Sequence, residues 1–148
     1  MTLSWDHPKV FSINVMPAEA DIDGLDHTNN AVYVHWCERA AWQHSEFLGI
    51  GLDSYRQQDR AMAIVKAEYE YLAATYQGEA LELSSRLVNS DGKMRLQRDF
   101  QIIRPSDNAL ILRASWQFMC IEISSGKPKR MPRLFSEIYG GAVIDDEG

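Results

Sequence analysis

The segment from about Asn30 to Leu48 constrains this chain most. Placed at about 100° per residue, Tyr33, Val34, Trp36, Cys37, Ala40, Ala41, Phe47 and Leu48 share one arc. His35, Glu38, Arg39, Gln43, Ser45 and Glu46 share the other, and Gly49 and Gly51 end the run. Two residues break the pattern: His44 falls within the apolar arc and Trp42 within the polar one. A helix with so wide an apolar arc must lie against a sheet or be wrapped by one.

The rest of the sequence supplies that sheet. Val10 to Val15 reads as a strand, with Phe11, Ile13 and Val15 alternating against Ser12 and Asn14. From Ile64 to Leu72, Val65, Ala67, Tyr69 and Tyr71 alternate with Lys66, Glu68 and Glu70. Leu81, Leu83, Ser85 and Leu87 form the next inward set. Asn89-Ser90-Asp91-Gly92 then signals a hairpin, because Asp-Gly suits the positive φ of a tight turn. Met94, Leu96, Phe100 and Ile102 face inward after it, with Arg98 as the exception. Pro105 to Asn108 is a turn, and Leu110, Leu112, Ala114, Trp116, Phe118 and Cys120 line the last strand. Pro132 to Tyr139 reads as a short terminal helix, and Asp145 to Gly148 as a frayed tail. The order is strand, long helix, then four strands, which is α+β with one helix on one face of an antiparallel sheet. It excludes alternating βαβ units, and neither a Gly-rich phosphate loop nor a Gly-x-Ser-x-Gly elbow occurs.

Composition narrows the function classes. The 148 residues are 45% hydrophobic and 24% charged, which fits one globular domain with an ordinary core. Fifteen Lys and Arg against twenty-one Asp and Glu leave a net charge of −6, so no nucleic-acid partner is expected. Met1 to His7 has neither a basic start nor an apolar run, and no segment nears the roughly 20 apolar residues of a membrane span. Cys37 and Cys120 fit neither a zinc spacing nor a disulfide framework, so the expected location is the cytoplasm with reduced thiols. Cys37, on the apolar arc, reads as a small buried hydrophobe. His44 reads as a core histidine and His35 as a solvated one. Trp42 and Trp5 suggest aromatic surface covered by another subunit or element.

Polar residues concentrate in Asp21-Ile22-Asp23-Gly24-Leu25-Asp26-His27-Thr28-Asn29-Asn30, which leads into the helix. Free N–H groups and the positive end of the dipole lie there, able to hold an anion or polarise a carbonyl. A carboxylate beside them is a candidate base or nucleophile. By spacing alone, caps and turn formers explain the same residues. Asp21-x-Asp23 opens like a calcium loop, but Leu25 takes the third ligand position, so no metal is expected.

The stretch from Asp21 to Tyr33 resembles the Asp-x-Asp-x-x-Gly-His-x-Asn-Asn-x-x-Tyr segment of the 4-hydroxybenzoyl-CoA thioesterase-like family of hotdog proteins. The similarity continues through Trp36, Glu38, Arg39 and Ala40, then Glu68 to Leu72, Tyr76 to Glu79 and Ser125 to Pro132. Asp26 stands where Gly is common, and Lys93-Met94 replaces a common small-polar pair. The resemblance implies a hotdog fold over about residues 8–137, a five-stranded antiparallel sheet wrapped around the long helix. It implies hydrolysis of an acyl-CoA or acyl-carrier thioester, with CoA as part of the substrate and no separate cofactor. On the same basis Asp23 is the catalytic carboxylate, the Asn30 N–H polarises the thioester carbonyl, and His27 orients the loop or acyl group. Asn29 and Tyr33 are the substrate-binding candidates, and Glu38, then Glu68, the fallback carboxylates. Members pair sheets edge to edge, so a homodimer or homotetramer is expected. The alternative is a non-catalytic hotdog protein that binds an acyl thioester or a partner.

Overall fold

The computed structural model describes residues 3–144, so the expected frayed tail lies outside the described residues. Five strands form one antiparallel sheet in the order β1-β3-β4-β5-β2. They are β1 (Phe11–Val15), β2 (Arg60–Tyr71), β3 (Leu81–Ser90), β4 (Arg95–Arg104) and β5 (Ala109–Glu122). Helix α1 (Asn30–Leu48) follows β1 and lies across one face of the sheet, as the wide apolar arc requires. A short helix α2 (Leu52–Gln58) leads into β2, and α3 (Arg133–Gly141) closes the chain.

Tyr33, Trp36, Cys37, Ala40 and Ala41 bury the arc of α1 against Leu83, Leu87, Phe100, Ile102, Leu112 and Trp116. The small side chains of Cys37, Ala40 and Ala41 let the helix axis approach the strands closely. Each fully buried Leu or Phe contributes about 1.5–3 kcal/mol relative to exposure. Gly49 stops α1 in the left-handed conformation at φ 106°, with its N–H bonded to the Glu46 carbonyl and the Ile50 N–H to that of Ser45.

Four sequence expectations need correction. Phe47 falls on the apolar arc by sequence, but it is 76% exposed, with its ring tilted against that of Phe11 at 5.5 Å. Ser45 falls on the polar arc by sequence, but it is buried, with its hydroxyl 3.1 Å from Tyr139 Oη. Helix α2 was not anticipated. Strand β2 starts at Arg60 rather than Ile64, and a bulge at Val65 splits its alternation. Opposite Phe118 and Trp116, the inward positions are Ile64 and Ala67, so Val65 drops out of the inward set. Trp42 packs on Tyr55 of α2 at 5.2 Å, within its own chain.

Candidate active site

The loop before α1 is a miniature antiparallel ribbon. The Asn29 N–H donates to the Asp21 carbonyl at 2.8 Å and the Asp23 N–H to that of His27 at 2.8 Å, with an Ile22–Thr28 bridge between. Asp26 turns the ribbon at φ 64°, and its N–H donates to the Asp23 carbonyl at 3.1 Å. The position where Gly is common in the resembling family is thus a left-handed one, which Asp tolerates better than most residues.

The Asp23 carboxylate divides its work. Oδ1 accepts from the N–H groups of Leu25 at 2.9 Å and His27 at 3.3 Å. Among the described residues, nothing donates to Oδ2. One oxygen braces the loop while the other is available to a water or a substrate. The side chain is half-buried.

Asn29 caps α1 by accepting from the Ala31 N–H at 3.0 Å, and its carbonyl takes the Val32 N–H. Between them the Asn30 N–H has no acceptor among the described residues. An exposed donor therefore remains at the positive end of a long helix.

A residue missed in the sequence locks this arrangement. Thr75 is fully buried between β2 and β3. Its carbonyl accepts from the Thr28 N–H at 2.9 Å and from the Thr28 hydroxyl at 3.1 Å. Its own hydroxyl donates to Thr28 Oγ1 at 2.7 Å, which leaves the Tyr33 hydroxyl to donate to Thr75 Oγ1 at 2.7 Å. Tyr33 is 2% exposed, so its hydroxyl ties α1 to the loop. The only sequence signal was a polar residue between Ala74 and Tyr76, in a stretch that reads as a turn. His27 is half-buried, edge-on to Tyr76 at 5.4 Å.

The structure thus brings Asp23, His27, Asn29 and Asn30 together at one end of α1, with Tyr33 behind them. Glu38 is exposed further along the helix, and Glu68 is exposed on β2 with Lys66 at 2.9 Å. Burial pushes the Cys37 thiol well above its ordinary range, which makes it inert.

A family model described as the thioesterase-like superfamily matches residues 18–138. The chain belongs to that superfamily. The matched part of this thioesterase-like chain spans the ribbon, α1, all strands after β1 and most of α3. Solved structures share the fold. A 1,4-dihydroxy-2-naphthoyl-CoA thioesterase from Synechocystis is 19% identical, with a TM-score of 0.79 over 88% of this chain and 96% of that one. A Staphylococcus aureus protein solved in complex with CoA is 16% identical, with a TM-score of 0.82 over 92% and 87%. A 12:0-ACP thioesterase from Umbellularia californica is 15% identical, with a TM-score of 0.83 over 94% and 55%.

Proposed function

We propose that this protein hydrolyses an acyl thioester of CoA or of an acyl carrier protein to a free acid and a thiol, in the manner of the 4-hydroxybenzoyl-CoA thioesterase-like family. The observation that carries the reading is the divided carboxylate of Asp23, on a ribbon that ends at the unoccupied Asn30 N–H. Oδ2 removes a proton from water as it attacks the thioester carbon, or attacks that carbon itself to give a mixed anhydride that water then opens. The Asn30 N–H receives the developing oxyanion. General-base assistance supplies about 10²–10⁴-fold, and a donor of this kind about 2.7–4 kcal/mol. His27 orients the acyl group and Asn29 holds the helix start. Tyr33 supports the substrate through Thr75. The chemistry requires no metal or redox cofactor. Two unpaired cysteines fit a cytoplasmic setting.

The Asp23 bonds to Leu25 and His27 also suit a non-catalytic binder, for which the carboxylate is only a loop brace. Release of free thiol from short, long and aromatic acyl-CoAs and from acyl-carrier thioesters separates the two. Turnover on any of these supports hydrolysis; no turnover on all of them overturns it.

A further inference from the structure

We propose that the cavity between α1 and strands β2, β4 and β5 is a binding site for an organic carboxylate with an apolar body, whose carboxylate pairs with Arg98. The cavity has a volume of about 220 Å³. That equals about seven waters' share of liquid, room for one ring or a short chain. Met62, Leu96, Trp116 and Phe118 supply apolar wall, and Ile64 stands at the mouth beside the free edge of β2.

Arg98 borders this cavity at 2% exposure. Its guanidinium donates from Nη1 to His44 Nδ1 at 2.7 Å and to Ser85 Oγ at 2.7 Å, and from Nη2 to Ser45 Oγ at 3.1 Å. All three acceptors are neutral, because burial first and Arg98 second hold His44 down at about 3. Among the described residues, no carboxylate pairs with Arg98 and nothing accepts from its Nε–H. Burial pulls the guanidinium down to about 10, so it keeps its charge at neutral pH. A buried cation without a counter-ion is costly unless something supplies one. A carboxylate does so with two parallel hydrogen bonds, in the geometry a guanidinium matches best. Beside it, the Tyr139 hydroxyl lies 3.1 Å from Ser45 Oγ and 3.0 Å from Tyr55 Oη, extending a polar floor under apolar walls.

The carboxylate has two sources, a free acid or the far end of an acyl thioester. The second rests on the hydrolase reading above. Asn30 and Ser45 are about 22 Å apart along α1. Within one chain, only a long acyl group would span from the loop to Arg98.

Calorimetry with hexanoate and benzoate, against hexanamide and benzamide, tests the site without turnover. Each acid should bind at least ten-fold more tightly than its amide, and Arg98→Met should abolish that preference. Equal binding of acid and amide, or an undiminished preference in Arg98→Met, overturns the proposal. Should Arg98→Met not fold, Met62→Trp fills the cavity and leaves Arg98 in place. Loss of acid binding in that variant supports the site, and retained binding overturns it. Thiol release from octadecanedioyl-CoA and octadecanoyl-CoA, whose extended chains match the span of about 22 Å, then identifies the source. A ten-fold lower KM for octadecanedioyl-CoA that vanishes in Arg98→Met assigns the acyl end, whereas equal KM values with hexanoate binding intact assign the free acid. No thiol release from either ester counts against the hydrolase reading alone, and the calorimetry still decides the site.

Discussion

The Arg98 guanidinium donates to His44 Nδ1 at 2.7 Å, and this one bond fixes the tautomer of a buried imidazole. A guanidinium only donates, so Nδ1 must carry the lone pair and the proton sits on Nε2. The ring stacks on Phe11 at 4.9 Å and 4°. A second proton on this histidine would face a cation in a site shut off from water.

That arrangement makes acid sensitivity a property of His44. Its pKa falls from 6.5 to about 3, by burial first and by Arg98 second. Between those values the unfolded chain binds a proton that the folded chain refuses, so stability rises with pH through the window and is lost as pH falls. His44→Asn keeps an acceptor for Arg98 and cannot be protonated. Urea unfolding from pH 7 to pH 4 should show a clearly shallower loss for the variant than for the wild type. Parallel curves would mean that other groups carry the acid response.

Asp23→Asn is nearly isosteric and retains an oxygen for the Leu25 and His27 N–H groups. It should lower kcat by about 10²-fold or more while holding the thermal midpoint. Asp21→Asn and Asp26→Asn should be milder, since the first accepts from the Ala18 N–H at 2.8 Å and the second only forms the turn. If activity in all three falls only in step with stability, Asp23 is a brace. Glu38 then becomes the first carboxylate to test.

Among the described residues, strand β2 leaves one edge unpaired, with Ile64 at 44% and Val65 at 56% exposure. An apolar edge of this kind invites a second copy. Sedimentation at micromolar concentration should report a dimer or larger assembly, and Val65→Lys should shift it toward monomer. A wild-type monomer would count against assembly through this edge.

Gly49→Ala tests the end of α1. The new methyl would meet Ile138 Cδ1 at 3.8 Å, an ordinary contact, so the penalty comes from φ 106° alone. Chemical denaturation should show a loss of about 1 kcal/mol. An unchanged midpoint would mean that the stop shifts to another residue.

The long helix was legible because one period dominates it despite His44 and Trp42, and two glycines close it. Inward faces of β3, β4 and β5 were legible for the same reason, since most of their inward positions are buried; Leu110 departs from the expected set, because a bulge at Ile111 takes it off that face and leaves it half-buried. β2 was less so, because an edge strand with a bulge has no single buried face to impose alternation. Helix α2 escaped because seven residues give too short a period, and its Leu52 is 52% exposed. At the loop, the residue types were readable but not their division of labour: which Asp23 oxygen braces and which stays free depends on where Leu25 and His27 point their N–H groups. Two anomalies in the sequence, His44 on an apolar arc and Arg98 on an inward strand face, are partners. Each looked like an exception alone, and only the docking of helix on sheet shows that they answer one another.

The same pairing polices how the helix docks. Hydrophobic side chains along α1 would fit the sheet tolerably well if the helix slid by one turn, since one apolar ridge resembles the next. Arg98 would not. Away from His44, Ser45 and Ser85 its N–H groups would be stranded in hydrocarbon, and a buried donor left without its hydrogen bond costs about 1–3 kcal/mol, more when it is charged. A collapsed chain in the wrong register is therefore penalised at a single residue, and the correct alignment of helix and sheet is selected during folding by a cation that tolerates only one neighbourhood.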